Sequence, residues 1–194
     1  MWHKKGVNAP AKPRRPRPPL DDKALEEMAL RYVGRYATTR AKLGQYLARK
    51  LRERGWAGAP EPDVRALAER LAALGYIDDA AYALSKSQSL AGRGYGKRRL
   101  IEKLRLAGVD EPDSSAAREL ADQQAIDAAL RFAQRRKVGP FAAASADRPQ
   151  REKAIAAMVR AGHGFALARA IVELEPGAEI DEEELRERAR LTLF

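Results

Sequence analysis

The chain has no cysteine and only two histidines, His3 and His163. The first absence removes disulfides, thiolate metal sites and thiol nucleophiles together. The second leaves too few imidazoles for a histidine-based zinc site. No run approaches the roughly 18 uninterrupted apolar residues of a membrane helix. The first residues are basic and proline-rich with no apolar segment behind them, unlike a secretory signal. Aromatic residues make up only 6% of the chain. What is abundant is positive charge: 37 Lys+Arg stand against 27 Asp+Glu in 194 residues, a formal net charge of +10. These features predict a soluble, cytoplasmic, basic protein whose partner is anionic, either nucleic acid or something bound to it.

The charge is uneven. Residues 1–19 carry Lys4, Lys5, Lys12, Arg14, Arg15 and Arg17, no acid, and five prolines. We read residues 1–20 as a disordered or polyproline-like arm, because it has almost nothing to bury; it is either a solvated tail or an electrostatic tether. Residues 176–194 form an acidic tail, with Glu179, Asp181, Glu182, Glu183, Glu184 and Glu187 against Arg186, Arg188 and Arg190. The tail is read either as a short amphipathic helix on Leu185, Ala189 and Leu193 or as a shield for the basic body.

The body between arm and tail has helical periodicity throughout. Leu25, Met28, Ala29, Tyr32, Val33 and Tyr36 share one helix face, with Asp21 or Asp22 as N-cap. Val64, Leu67, Leu71 and Leu74 share another, opened by Pro62 in the first turn and closed by Gly75. Asp147 and Gln150 have the spacing of a capping box before Ile155, Met158 and Val159. Phe165, Ala168, Ile171 and Val172 follow, stopped by Pro176. Alternating apolar and polar runs are missing, so the body is expected to be all-α.

A repeat is superimposed on this pattern. Gly55, Gly108 and Gly162 recur 53 and 54 residues apart. Each is preceded at four residues by an apolar residue (Leu51, Leu104, Met158) and followed by another (Trp56, Val109, Phe165). The expected architecture is a tandem array of three three-helix, helix-turn-helix-like repeats over 21–77, 78–123 and 124–175. Each has a basic-faced helix before its glycine and a shorter third helix after it. The array of about nine helices would be elongated and curved.

Enzyme chemistry fails on inventory. Gly92-Arg93-Gly94-Tyr95-Gly96-Lys97 resembles a phosphate-binding loop, but a Walker A motif would need Gly at 91 and Ser or Thr at 98, where Ala91 and Arg98 stand. The segment reads as a flexible glycine turn between helices. No Gly-x-Ser-x-Gly elbow is present. His163 beside a helix-ending glycine reads as a turn or surface residue. Asp78 and Asp79 read as an N-cap and a first-turn acid. No cofactor fingerprint appears, and none is expected.

Binding residues are easier to nominate. Arg93, Lys97, Arg98, Arg99, Lys103 and Arg105 form the densest basic cluster, opposed only by Glu102 and underlain by Leu100, Ile101 and Leu104. The cluster is either a solvated face or a contact for phosphate or an acidic surface. Tyr95, between two glycines inside it, is placed to stack on a base or a partner side chain, or to pack in the turn. Arg40, Lys42 and Arg49 are the corresponding basic positions of the first repeat. Tyr32, Tyr36 and Tyr46 read as core.

Three segments carry a family resemblance. Ala29-Leu30-Arg31-Tyr32 with Thr39-Arg40-Ala41-Lys42-Leu43 and the run Leu71 to Ala83, containing Leu74-Gly75-Tyr76-Ile77-Asp78-Asp79, is similar to the RecX family. Arg93-Gly94-Tyr95-Gly96-Lys97-Arg98-Arg99-Leu100 with Leu104 and Gly108 resembles the family's second repeat. Lys153 to Gly162 with Phe165 resembles its third. The turn Trp56 to Glu61 and the loop Val138 to Arg148 are longer than the pattern. The resemblance implies tandem three-helix repeats and a monomeric, non-enzymatic regulator of the recombinase RecA. Such a regulator would bind RecA or its filament on single-stranded DNA and mainly inhibit its ATPase and strand exchange, in recombination, DNA repair and the SOS response. Two other readings stay open at this point: a helix-turn-helix DNA-binding repeat protein acting without a recombinase, and an RNA-associated accessory protein. The scarcity of Asn and Gln on the basic helices counts against base-edge reading by the first.

Overall fold

A computed structural model of the chain describes residues 18–191. Ten α-helices and one 3-10 turn run through those residues, and the described residues contain no strand beyond an isolated bridge between Leu20 and Trp56. The helices are α1 (Asp22–Val33), α2 (Arg40–Arg54), α3 (Val64–Ala73), α4 (Asp79–Gly92), α5 (Lys97–Leu106), α6 (Glu111–Gln123), α7 (Ala125–Arg136), α8 (Arg148–Arg160), α9 (Phe165–Val172) and α10 (Glu182–Leu191). No helix among the described residues is long and apolar enough to cross a membrane.

The boundaries follow local chemistry. Asp21, Thr39, Asp63, Asp78 and Asp147 cap α1, α2, α3, α4 and α8, each accepting a hydrogen bond from a first-turn amide that the helix leaves unpaired. Asp147 and Gln150 form the reciprocal capping box expected from their spacing. At α3 the expectation is corrected: Asp63 is the cap, and Pro62 precedes it instead of lying in the first turn. The repeating glycines Gly55, Gly108 and Gly162 all take positive φ, at 80°, 67° and 99°. That backbone is open to glycine without the steric cost a Cβ brings, so it ends each helix and reverses the chain. The helix after Gly108 is not the shorter one: α6 has 13 residues and α5 has 10.

The buried residues separate into three clusters. Leu25, Leu43, Leu47 and Leu71 join α1, α2 and α3. Ala83, Leu90, Leu100, Leu104 and Ala117 join α4, α5 and α6. Ile126, Phe132, Met158 and Ile171 join α7, α8 and α9, and Leu185 of α10 completes the same cluster. The acidic tail is therefore helical where it is described. Its Leu185 is buried and its Ala189 packs beside it, while Leu193 lies outside the described residues.

One end of the arm is also corrected. Leu20, assigned to an arm with nothing to bury, is fully buried in the first cluster. Its amide donates to the Gly55 carbonyl over 2.9 Å and its carbonyl accepts from the Ala57 amide over 2.8 Å. Arg54 holds the neighbouring Pro18 carbonyl through Nε and Nη2. The charges of the arm, Lys4 to Arg17, lie outside the described residues.

Candidate functional site

The basic cluster sits on α5 and the turn that leads into it. Leu100 and Leu104 are buried one turn apart, which fixes the opposite face of the helix toward solvent. Charge on that face is only partly neutralised within the molecule. Lys97 pairs with Asp122, and Arg99 with Glu102 at 2.7 Å. Arg98 and Arg105 are exposed and Lys103 is half-buried. None of these three has an acidic partner within the described residues. Their charge is thus available to an outside anion.

Tyr95 is half-buried and packs against both the second and third clusters, leaving part of its ring at the surface beside the basic helix. The Arg93 guanidinium lies 5.4 Å from its centroid and that of Arg135, from α7, 6.0 Å. Arg135 also donates through Nη1 to the Arg93 carbonyl. Arg135 is 42 residues from Arg93, so only the fold adds it to the cluster.

The glycine segment is hydrogen-bonded and closely packed against the turn after α8. The Gly96 amide donates to the Ala161 carbonyl over 3.0 Å, and the Arg98 amide to the Gly162 carbonyl over 3.1 Å. A Cβ on Gly96 would lie 2.3 Å from the Gly162 oxygen. The Gly96 and Arg98 amides at the start of α5, which a phosphate could otherwise occupy, therefore serve the turn after α8. Contact of this face with an anion falls to side chains.

His163 is likewise buried, contrary to the surface reading. Its relative exposure is 2%, its Nε2 lies 3.1 Å from the Gly94 carbonyl oxygen, and its ring meets Phe132 edge-on at 5.6 Å. Burial holds its pKa below the ordinary histidine value, although the Gly94 bond pulls the other way. A neutral ring facing a carbonyl carries its proton on Nε2, so Nε2 is the donor.

The first-repeat candidates divide. Arg40 is committed inside the molecule. Its amide and Nε donate to Asp79 at 3.0 and 3.2 Å, its Nη1 to Glu69 at 3.3 Å, and its Nη2 to Asp113. This ties the starts of α2 and α4 to α3 and α6. Asp79, 5% exposed, is more than a first-turn acid: burial pushes its carboxyl above the ordinary value, opposed by the Arg40 hydrogen bonds. Beside this tie, Thr39 donates through its hydroxyl to the Ala107 carbonyl over 2.6 Å. Lys42 donates to the Tyr82 hydroxyl over 2.6 Å. Arg49 is exposed, 3.7 Å from Glu53 and 5.7 Å from the Tyr46 ring. Tyr32 and Tyr46 pack on the first cluster as expected, but Tyr36 is 50% exposed.

Sequence spacing could not have found the ties between Arg40 and Asp79, or between His163 and Gly94, because they join residues 39 and 69 apart. Among the described residues no group of three or more His, Asp or Glu side chains is arranged to hold a metal ion.

No family model matches the chain. It is similar to the "Regulatory protein RecX" of Myxococcus xanthus (strain DK1622), with 33% identity over 183 residues, 89% of this chain and 95% of the relative. The "Regulatory protein RecX" of Mycobacterium avium (strain 104) is 31% identical over 186 residues, 91% of this chain and 97% of the relative. In fold it resembles the crystal structure of RecX from Lactobacillus salivarius, with a TM-score of 0.56 and 18% identity, covering 78% of this chain and 94% of the other.

Proposed function

The chain belongs to the RecX family of regulatory proteins, and from that premise we propose that it regulates the recombinase RecA by binding RecA, alone or as its filament on single-stranded DNA. In this reading it acts in the cytoplasm as a monomer, by contact and without chemistry of its own. It mainly lowers the filament's ATP hydrolysis and strand exchange. The observation that carries the assignment of the contact face is the trio Arg98, Lys103 and Arg105, which present charge from one short helix without acidic partners among the described residues. We assign Arg93, Tyr95, Lys97 and Arg99 to the same face, with Lys42 and Arg49 as a secondary contact. Arg40 belongs instead to the internal tie.

The three core clusters support a division into three helical repeats within 21–77, 78–123 and 124–175. Repeats joined through buried hydrogen bonds would lie along a filament as one body. Contacts to successive protomers would then add through effective concentration, so that modest individual contacts suffice. Occupying the groove of the filament would exclude incoming duplex.

The test is a titration of RecA's ATPase on single-stranded DNA at two salt concentrations. Substoichiometric chain should lower the rate, with a smaller effect at the higher salt. An unchanged ATPase at both salts would remove the reading.

A further inference from the structure

Five of the six tyrosines in the chain line two neighbouring grooves that share Tyr36. In the first groove Tyr32 stacks on Tyr46 at 4.2 Å between centroids, 18° from parallel, and meets Tyr36 at 5.3 Å. Arg31, Arg35 and Arg49 complete its lining, and no acid enters it. The second groove, where the end of α1 meets α4, is lined by Tyr36, Tyr76 and Tyr82 with Lys42 and Lys86; Asp78 is its single acid. Tyr36 and Tyr76 are 50% and 56% exposed, which is costly for rings that only fill a core.

The cations lie close to the rings. The Arg35 guanidinium is 5.6 Å from the Tyr36 centroid, and the Lys86 ammonium 5.4 Å from that of Tyr82. Arg31 and Arg49 have exposed carboxylate neighbours in Glu27 and Glu53, but among the described residues Arg35, Lys42 and Lys86 pair with no acid. Thr38, whose buried hydroxyl has no hydrogen-bond partner, lines the second groove as well.

We infer that this tyrosine strip is a binding site for single-stranded nucleic acid, separate from the basic face of α5. Open aromatic faces accept unpaired bases, and the flanking cations take the phosphates between them. A duplex keeps its bases stacked on each other, and so offers these rings nothing to stack on. An acidic peptide would satisfy the cations and leave the exposed faces of Tyr36 and Tyr76 unused. The inference does not rest on the recombinase reading, and its test contains no recombinase, so the two fail separately.

The experiment is fluorescence anisotropy of a labelled 12-nucleotide oligothymidylate titrated with the full chain. Wild type should bind with an affinity that falls as salt rises, as phosphate contacts require. Tyr36→Ala with Tyr76→Ala should weaken binding by about tenfold or more, and Tyr36→Phe with Tyr76→Phe should retain it. Tyr76→Ala alone disturbs no ring pair of the fold, and it should show a loss at unchanged helical circular dichroism. Three results would overturn the site: no binding by wild type, equal binding by the alanine variants, or displacement of the oligonucleotide by oligoglutamate as readily as by unlabelled oligothymidylate.

Discussion

The imidazole of His163, in the turn between α8 and α9, donates through Nε2 to the carbonyl of Gly94, in the turn between α4 and α5, over 3.1 Å. This bond joins the second and third core clusters and has a pH dependence with a definite sign. An unperturbed histidine titrates near 6.5, and burial lowers that value in the folded chain. Between the two values the unfolded chain binds more protons than the folded one, so stability rises with pH. The contribution is complete above 6.5 and is lost as pH falls toward the lowered value. The thermal midpoint of wild type should therefore drop more between pH 7.5 and 5 than that of His163→Gln. Parallel profiles for the two proteins would show that His163 is not the titrating group.

The adjacent glycine gives a steric test. Gly96 has φ of −84°, open to any residue, so its identity is set by the backbone opposite. Alanine there would drive its Cβ to within 2.3 Å of the Gly162 oxygen. Gly96→Ala should cost about 1–3 kcal/mol, the usual range for overpacking. Gly92→Ala, at the end of α4 with nothing within 4 Å, should be neutral or stabilise by up to about 1 kcal/mol. Urea unfolding of the pair decides the matter, and equal stability would contradict the close approach.

The Arg40–Asp79 tie should behave as a coupled buried pair. Asp79 keeps only 2% of its side chain exposed, against 29% for Arg40. Arg40→Ala strands the carboxylate and should cost about 3 kcal/mol. Asp79→Ala removes the burial penalty with the partner, so the double variant should lose less than the sum of the two singles. A strictly additive cycle in chemical denaturation would mean that the pair is not coupled.

Leu20 tests where the folded body begins. Its side chain has no exposed surface, so Leu20→Ala should destabilise by about 2–5 kcal/mol. A loss below half a kilocalorie would place Leu20 outside the core.

On the contact face, Arg98→Glu, Lys103→Glu and Arg105→Glu together should weaken binding to the RecA filament by about tenfold at low salt, with the gap narrowing as salt rises. None of the three has an acidic partner to lose among the described residues, so helix content should be unchanged. Full binding by this variant would exclude the α5 face while leaving the tyrosine strip to be judged by its own assay.

The sequence by itself determined the helical pattern, the caps of α1, α4 and α8, and the glycine period. These depend on interactions within a few residues: an Asp oxygen on a first-turn amide, an apolar stripe at 3.6-residue spacing, a positive φ at Gly55, Gly108 and Gly162. The basic helix α5 was legible for the same reason, and so was the family, because its segments are contiguous. Tertiary structure alone decided which charges are free. Arg40 and Arg98 look alike in sequence, yet among the described residues Arg40 meets three carboxylates and Arg98 none. It also buried His163, turned Leu20 inward, and brought Tyr36 alongside Tyr76 and Tyr82. Charge neutralisation, desolvation and ring placement are set by neighbours tens of residues away, and periodicity along one helix carries no information about them.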